Sequence, residues 1–318
     1  MPEACIGIDV GGTFTKIGAV DRTGKLFLQE KLPSQVEAGP AAFVDRASGV
    51  VERWLAQKKL RVAGVGLGLA GDVDSEGGEL RFTPNLGGWD GFPFKRALER
   101  RLKTRVTVEN DANAAVFGAY VTELKRKPKH VVGITLGTGV GGGLIVDGRL
   151  LRGATGSAGE IGHMKVQPGG ELCHCGGRGC LEAYGGSYGI LRTARRLIAR
   201  DPRRAKRLLK ICGTPERLEP IHLTQAADEG DPVAQDVWLE TGRSLAIGLE
   251  NLILTLNPDF VMVLGGVSRA GRWLIDPIVS HLGGSPFRTP FSHARVKMAD
   301  NPNAGCVGAA LLALEPGA

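Results

Sequence analysis

The sequence predicts an α/β protein in which one structural device is used twice. Two observations carry this. Strand-like and helix-like segments alternate through the first ~120 residues, as in an α/β layer. A strand, a Gly-Thr turn and a second strand open the chain (IGIDVGGTFTKIGAVD) and recur about 125 residues later at 131–150 (VVGITLGTGVGGGLIVDGRL), which points to a duplicated architecture.

The elements follow in order. ACIGIDV is a strand, GGT a turn whose backbone amides can face an anion, and FTKIGAVD a second strand. A helix is expected at about 41–58, where Phe43, Val44, Ala47, Val50, Val51, Trp54 and Leu55 form one stripe. RVAGVGLGLAG is a glycine-interrupted strand, 94–102 a helix, 105–110 a strand and 111–124 a helix. Beyond the second strand–turn–strand come helical segments at 187–210 and 233–256, a strand at 260–267 and a last helix at 303–314.

Composition narrows the class. Of 318 residues, 42% are hydrophobic and 23% charged, enough for a sizeable core. Glycine (48 residues) is about twice its usual share, yet it shows no three-residue period and proline numbers only 17, so the excess is expected in tight turns. The longest apolar run, 133–146, is too short and too glycine-punctuated for a membrane helix. The N-terminus lacks the basic region of a secretory signal, and Asp9 interrupts the early apolar run. Three of the six cysteines crowd into 173–180, which in a cytosolic chain suggests metal before disulfide. A cytoplasmic protein away from membranes is expected.

The net charge of +7 has one source. Segment 192–210 carries seven arginines with Lys206 and Lys210 against Asp201 alone. It reads as two short amphipathic helices broken at Asp201-Pro202. No aromatic residues interleave with the basic ones, so a solvated face is expected rather than a nucleic-acid surface.

Several motifs carry chemistry. GLGLAG at 66–71 fits G-x-G-x-x-G, but turn residues follow where a dinucleotide site needs a helix. The only Gly-Lys pair, Gly24-Lys25, precedes Leu26, so a Walker A loop is absent. In DVGGTFTK, Gly11 and Gly12 allow close backbone approach, Thr13 adds a hydroxyl, and Asp9 is placed to hold a hydrated Mg²⁺; a plain hairpin turn is the alternative. The second Gly-Thr-Gly, at 137–139, favours a nucleotide phosphate tail clamped by two hairpins, and LGGVS at 264–268 offers a backbone edge for adenine or an ordinary turn. In END at 109–111, Asn110 or Asp111 is a helix N-cap, or Asp111 is a general base kept ionised by the helix N-terminus. Cys173, Cys175 and Cys180 supply three thiolates. His163 is the natural fourth ligand of a closed Cys₃His zinc site, with His174 its rival and a Cys173–Cys175 disulfide the other reading. Glu160 and Glu182 lie outside the metal set, as ligands for hydroxyl-rich molecules or as surface charges.

Together DVGGTFTK, END, LGTGVGGG (136–143), EIGHMKV (160–166), CHCGGRGCLE (173–182) and LGGVS resemble the ROK family of sugar kinases over essentially the whole chain, with greatest similarity to its bacterial ATP-dependent glucokinases. The cysteine motif with its upstream E-x-G-H is the specific part; the Gly-Thr turns belong to the wider actin-like superfamily. The resemblance implies an actin-like, ribonuclease-H-like fold with a duplicated βαβ core, two lobes and a cleft between them. Residues 1–120 would form a small lobe to which the helix in 303–318 returns, and 121–302 a large lobe carrying the zinc loop. It implies transfer of the ATP γ-phosphate to the 6-hydroxyl of glucose, with Mg²⁺ and a structural Zn²⁺, and Asp111 as base. Asn85, Asn110, Asp111, Glu160, His163 and Glu182 would hold the sugar. Asp9, Gly11, Gly12, Thr13, Lys16, Thr138, Gly139, Gly265 and Gly266 would line the ATP site. His163 would serve zinc with one ring nitrogen and sugar with the other, and Cys173, Cys175 and Cys180 would complete the metal set. N-acetylmannosamine, N-acetylglucosamine or fructose is the alternative substrate. A homodimer or homotetramer is implied. LAGDVD at 69–74 departs from the many relatives with a proline beside the glycine. The family's repressors carry an N-terminal helix-turn-helix domain, and the eight residues before Asp9 hold none, so an enzyme is expected.

Overall fold

Residues 3–83 and 85–315 are described by the computed structural model, and both copies of the strand–turn–strand device lie among them. The strands are β1 (Glu3–Val10), β2 (Phe14–Val20), β3 (Leu26–Pro33), β4 (Arg61–Leu69), β5 (Asp72–Asp74), β6 (Glu79–Phe82), β7 (Val106–Asn110), β8 (Val131–Leu136), β9 (Val140–Val146), β10 (Arg149–Leu150), β11 (Phe260–Leu264) and β12 (Arg295–Met298). The helices are α1 (Gly39–Lys58), α2 (Phe94–Leu102), α3 (Asp111–Thr122), α4 (Glu182–Gly185), α5 (Ser187–Arg200), α6 (Lys206–Cys212), α7 (Pro220–Asp228), α8 (Pro232–Leu256), α9 (Arg272–Gly283), α10 (Arg288–His293) and α11 (Ala304–Leu312). Among the described residues no helix is long and apolar enough to cross a membrane.

The two five-stranded sheets share one plan, β3-β2-β1-β4-β7 and β10-β9-β8-β11-β12. In each, a turn-linked strand pair carries an antiparallel strand on one side (β3 or β10) and two parallel strands on the other. Burial explains the residue types. β1, central in its sheet, is a nearly continuous buried run, whereas the edge strand β3 alternates half-buried and exposed positions. The chain forms two compact units. One draws on residues up to 129, on 143–159 and on 300 onward; the other comprises 130–142 and 160–299.

Tight turns account for only part of the glycine excess, and the expectation is corrected here. In the first unit, a Cβ on Gly7 would lie 1.8 Å from the Cys306 carbonyl oxygen, one on Gly66 1.7 Å from that of Ala309, and one on Gly308 1.7 Å from that of Ala114. These glycines let α11 lie with its backbone against β1, β4 and α3. Gly66 belongs to the G-x-G-x-x-G run, which is followed by β5 rather than a helix, so that glycine serves packing.

In the second unit the basic segment forms two helices, α5 and α6, as expected. Much of its charge is committed within the chain: Arg196 bonds Glu240 at 2.5 Å and Arg204 bonds Asp236 at 2.8 Å. Arg195 and Arg207 donate to the carbonyls of Pro215 and Gly230.

Candidate active site

In the first unit, register aligns the strand ends. Val10 on β1 is level with Leu69 on β4, and Leu69 with Asn110 on β7. Turn 11–13 and Asp111 therefore leave the sheet at the same edge, the carboxyl ends of parallel strands, where open α/β sheets bind ligands. The Gly11 N–H donates to the Phe14 carbonyl at 3.1 Å and closes the turn. Gly12 and Thr13 are exposed, and among the described residues their N–H groups have no partner. A Cβ on Gly12 would lie 3.7 Å from the Asn85 carbonyl oxygen, so the predicted sugar residue Asn85, also exposed, sits beside the turn. Asp9 faces Lys16 across the β1–β2 pair. Burial pushes the Asp9 carboxyl above its ordinary pKa, against the opposing pull of Lys16. The Lys16 Nζ itself donates to the Pro302 carbonyl at 2.8 Å.

The N-cap of α3 is Asn110, whose Oδ1 accepts from the Ala112 and Asn113 N–H groups while its Nδ2 donates to the Gly71 carbonyl at 3.0 Å. The capping role thus falls to Asn110 and not to Asp111, the first residue of α3, whose Oδ1 accepts the Ala112 N–H at 2.9 Å. Beneath them Glu109 is 1% exposed. Its Oε1 accepts from the Asn110 N–H and Asn113 Nδ2, and its Oε2 accepts from Arg152 Nε at 2.7 Å. Buried Glu109 and its half-buried partner Arg152, which the sequence reading passed over, brace the segment that presents Asp111. The carboxylate within the short strand VTVEN was the pair's one signal in the sequence.

In the second unit, Leu264 on β11 is level with Thr135 on β8, which brings LGGVS beside turn 137–139. Gly265 has φ 94°, and a Cβ there would lie 2.3 Å from the Leu136 carbonyl oxygen, so only glycine fits. Gly266 opens a short 3-10 turn (Gly266–Ala270) with free space around it. The Gly137 N–H donates to the Gly139 carbonyl at 3.0 Å, a tighter closure than in the first unit. The exposed Thr138 and the half-buried Gly139 again have no N–H partner among the described residues.

Glu182, the first residue of α4, links this turn to the cysteine loop. Its Oε2 accepts the Val140 N–H at 3.1 Å, and its Oε1 lies 3.4 Å from both Cys173 Sγ and the Tyr188 hydroxyl. The ligand atoms of His163, Cys173, Cys175 and Cys180 all lie within 4.8 Å of one another. Cys175 Sγ is 3.7 Å from Cys180 Sγ, and Cys173 Sγ is 3.8 Å from His163 Nδ1. Tetrahedral zinc with bonds of about 2.3 Å sets its ligands about 3.8 Å apart, so the donor set fits that ion in spacing and chemistry. Burial pushes the Cys173 thiol up to about 12, with the Glu182 charge adding to the effect, so a thiolate there needs a cation beside it. Lys165 supplies further positive charge, its Nζ lying 2.7 Å from Cys180 Sγ. His174 is not brought into the cluster: its ring stacks on Tyr188 with centroids 3.8 Å apart. His163 turns Nδ1 to the cysteines and Nε2 to Glu160, 3.8 Å from its Oε2. Gly162 must be glycine, because a Cβ would lie 1.9 Å from the Val140 carbonyl oxygen.

The chain is similar to known proteins over nearly its whole length. The glucokinase of Streptomyces coelicolor is 38% identical over 316 residues, 98% of each chain. A solved ROK-family glucokinase from Streptomyces griseus, in complex with glucose and AMPPNP, is 37% identical with a TM-score of 0.83, covering 98% of this chain and 99% of that one. An N-acetylmannosamine kinase of Escherichia coli is 32% identical over 311 residues, 97% of each chain. The fold is the actin-like α/β fold of these sugar kinases. The ROK family model matches residues 5–316, and the chain belongs to the ROK family.

Proposed function

We propose that this chain transfers the γ-phosphate of Mg-ATP to the 6-hydroxyl of glucose. The observation that carries the reading is the edge of the first sheet, where a turn with two exposed amide N–H groups, unpartnered among the described residues, leaves β1 and Asp111 leaves β7, the parallel strands on either side of β4. One group binds anionic oxygen and the other accepts a proton, the two services phosphoryl transfer requires. The glucokinase relatives at 36–38% identity support glucose as the acceptor.

In this reading Asp111 takes the proton of the 6-hydroxyl as its oxygen bonds to the γ-phosphorus, and the bond from that phosphorus to the bridging oxygen breaks to release ADP. A weak base suffices, because the barrier falls mainly through positioning and charge neutralisation. Gly11, Gly12 and Thr13, with Thr138 and Gly139, hold phosphate oxygens; Gly265 and Gly266 border the nucleotide. Asn85, Asn110, Glu160, His163 and Glu182 hold sugar hydroxyls. Asp9 would hold the Mg²⁺ brought with ATP, Lys16 would meet phosphate oxygen, and the ion would supply charge neutralisation. His163, Cys173, Cys175 and Cys180 would hold zinc with four protein ligands, and the ion would then serve to fix the loop bearing Glu160 and Glu182. His163, with Nδ1 committed, keeps its proton on Nε2 and presents it to Glu160 or to a sugar oxygen.

The test is ADP release from Mg-ATP with glucose, mannose, fructose, N-acetylglucosamine and N-acetylmannosamine. A dominant rate with glucose is expected. A dominant rate with an N-acetylated sugar would replace the substrate while keeping the phosphoryl-transfer reading, and no turnover with any of the five would overturn that reading.

A further inference from the structure

Both Gly-Thr turns are gripped from behind by a serine distant in sequence. In the first unit Ser34, one residue beyond β3, is 0% exposed. Its Oγ donates to the Gly11 carbonyl at 2.6 Å, and its N–H donates to the Thr13 carbonyl at 2.9 Å. A serine hydroxyl has one proton, and here the Gly11 carbonyl receives it. The 3.0 Å contact with Thr15 Oγ1 must then run from Thr15 to Ser34. The Ser34 carbonyl accepts from Arg46 Nη2 at 2.6 Å, so every polar group of this buried residue is used. In the second unit Ser187, the first residue of α5, donates to the Gly137 carbonyl twice, from its N–H at 2.9 Å and from its Oγ at 2.7 Å.

The local sequences, LPSQV and YGGSY, share nothing beyond the serine. The serines lie 23 and 50 residues from the glycines they grip. Yet each satisfies the carbonyl of the first turn glycine, and each turn is left with the same remainder: two N–H groups with no partner in the chain among the described residues. A carbonyl turned inward leaves the following peptide N–H groups to face outward, the arrangement in which successive amides cradle an anion. Carbonyl dipoles facing a phosphate would instead repel it.

We propose that Ser34 and Ser187 are positioning residues for the nucleotide phosphates, each holding one turn's carbonyls away from the anion and its amides toward it. This rests on the reading of residues 11–13 and 137–139 as phosphate-holding turns. A third serine, Ser268, donates to the Gly265 carbonyl at 2.7 Å, but it is a local contact three residues away and stands outside the proposal.

The test uses the full-length protein with Ser34→Ala, Ser187→Ala, Ser34→Thr and Ser187→Thr. KM for ATP, KM for glucose and calorimetric affinity for Mg-AMPPNP are measured beside the melting temperature. Each alanine variant loses its hydroxyl's bond to the turn carbonyl, and Ser34→Ala the Thr15 contact as well, so KM for ATP and Kd for AMPPNP should rise about 3–10-fold while KM for glucose stays put. The threonine variant at the half-buried Ser187 should restore nucleotide affinity. If Ser34→Ala or Ser34→Thr fails to fold in its tight site, the Ser187 pair decides. Unchanged nucleotide affinity in folded alanine variants would overturn the proposal. So would equal rises in both KM values, the mark of a general structural lesion. Wild-type protein that does not bind Mg-AMPPNP would refute the kinase reading itself, and this proposal with it.

Discussion

The two turns look alike in sequence and are held differently in structure. Turn 11–13 closes over four residues, from the Gly11 N–H to the Phe14 carbonyl, and its second anchor is the backbone of Ser34. Turn 137–139 closes over three, and the residue that leaves it, Val140, is anchored by the carboxylate of Glu182. Glu182 in turn touches Cys173 and Tyr188. The first turn is thus fastened to its own sheet, and the second is fastened to a side chain that also reports on the metal cluster. The first unit, besides its turn, presents the candidate base. A lesion in one unit should therefore carry a different kinetic signature from a lesion in the other.

The largest expected effect belongs to Asp111. Asp111→Asn keeps the shape at the start of α3 but removes the proton acceptor. Turnover should fall about 10³-fold, with KM for glucose and for ATP held within about twofold. Steady-state kinetics with isothermal titration of glucose would check this. Near-normal turnover would end the assignment and, with it, the contrast between a unit that acts on kcat and one that acts on KM.

Disturbing the metal cluster comes next. Cys175→Ser, at the exposed cysteine, should lower zinc content measured by mass spectrometry and lower the melting temperature. Because Glu182 spans from Cys173 to the Val140 N–H, KM should rise for glucose and for ATP together, by roughly 10–100-fold, the usual cost of losing the support around a metal site. A rise for glucose alone would mean that Glu182 does not transmit the loss to the turn. Full zinc occupancy would refute the ligand set.

How much of this could be read in advance depends on whether the signal is local. Helix 94–102 was legible to the residue, because apolar spacing and polar flanks are local. The four metal-cluster residues were legible because thiols at this spacing have few other uses; the ambiguity between His163 and His174 was not, since only the fold shows His174 stacked on Tyr188. Helix α9 escaped notice because Pro277 stands inside it and reads as a break. β12 escaped because one exposed and three half-buried residues at a sheet edge carry no period. Ser34 and Ser187 left no trace at all. A serine is unremarked anywhere in a sequence, and its meaning here comes from a carbonyl brought beside it by tertiary register. Glycine misled in the opposite way: Gly7, Gly66 and Gly308 mark the close approach of α11, which composition cannot tell from turns.

The smallest effect gives the sharpest contrast, because it compares one atom added to each turn. Neither Gly12 nor Gly139 has a positive φ, so alanine is compatible with both backbones. A Cβ on Gly12 would meet nothing nearer than the Asn85 carbonyl at 3.7 Å, an ordinary contact. A Cβ on Gly139 would lie 2.3 Å from Glu182 Oε2. That oxygen sits at the end of a flexible side chain, so the fold should survive, but Glu182 must swing away and release the Val140 N–H. Losing one such hydrogen bond amounts to about 0.5–1.5 kcal/mol. Gly139→Ala should thus raise KM for glucose by about 3–10-fold at an almost unchanged melting temperature, whereas Gly12→Ala should leave KM for glucose where it was and act on ATP alone. Equal glucose effects from the two substitutions would show that the turns are anchored alike after all. A Gly139→Ala variant with unaltered glucose affinity would separate Glu182 from the sugar, and leave it as the brace of the second turn only.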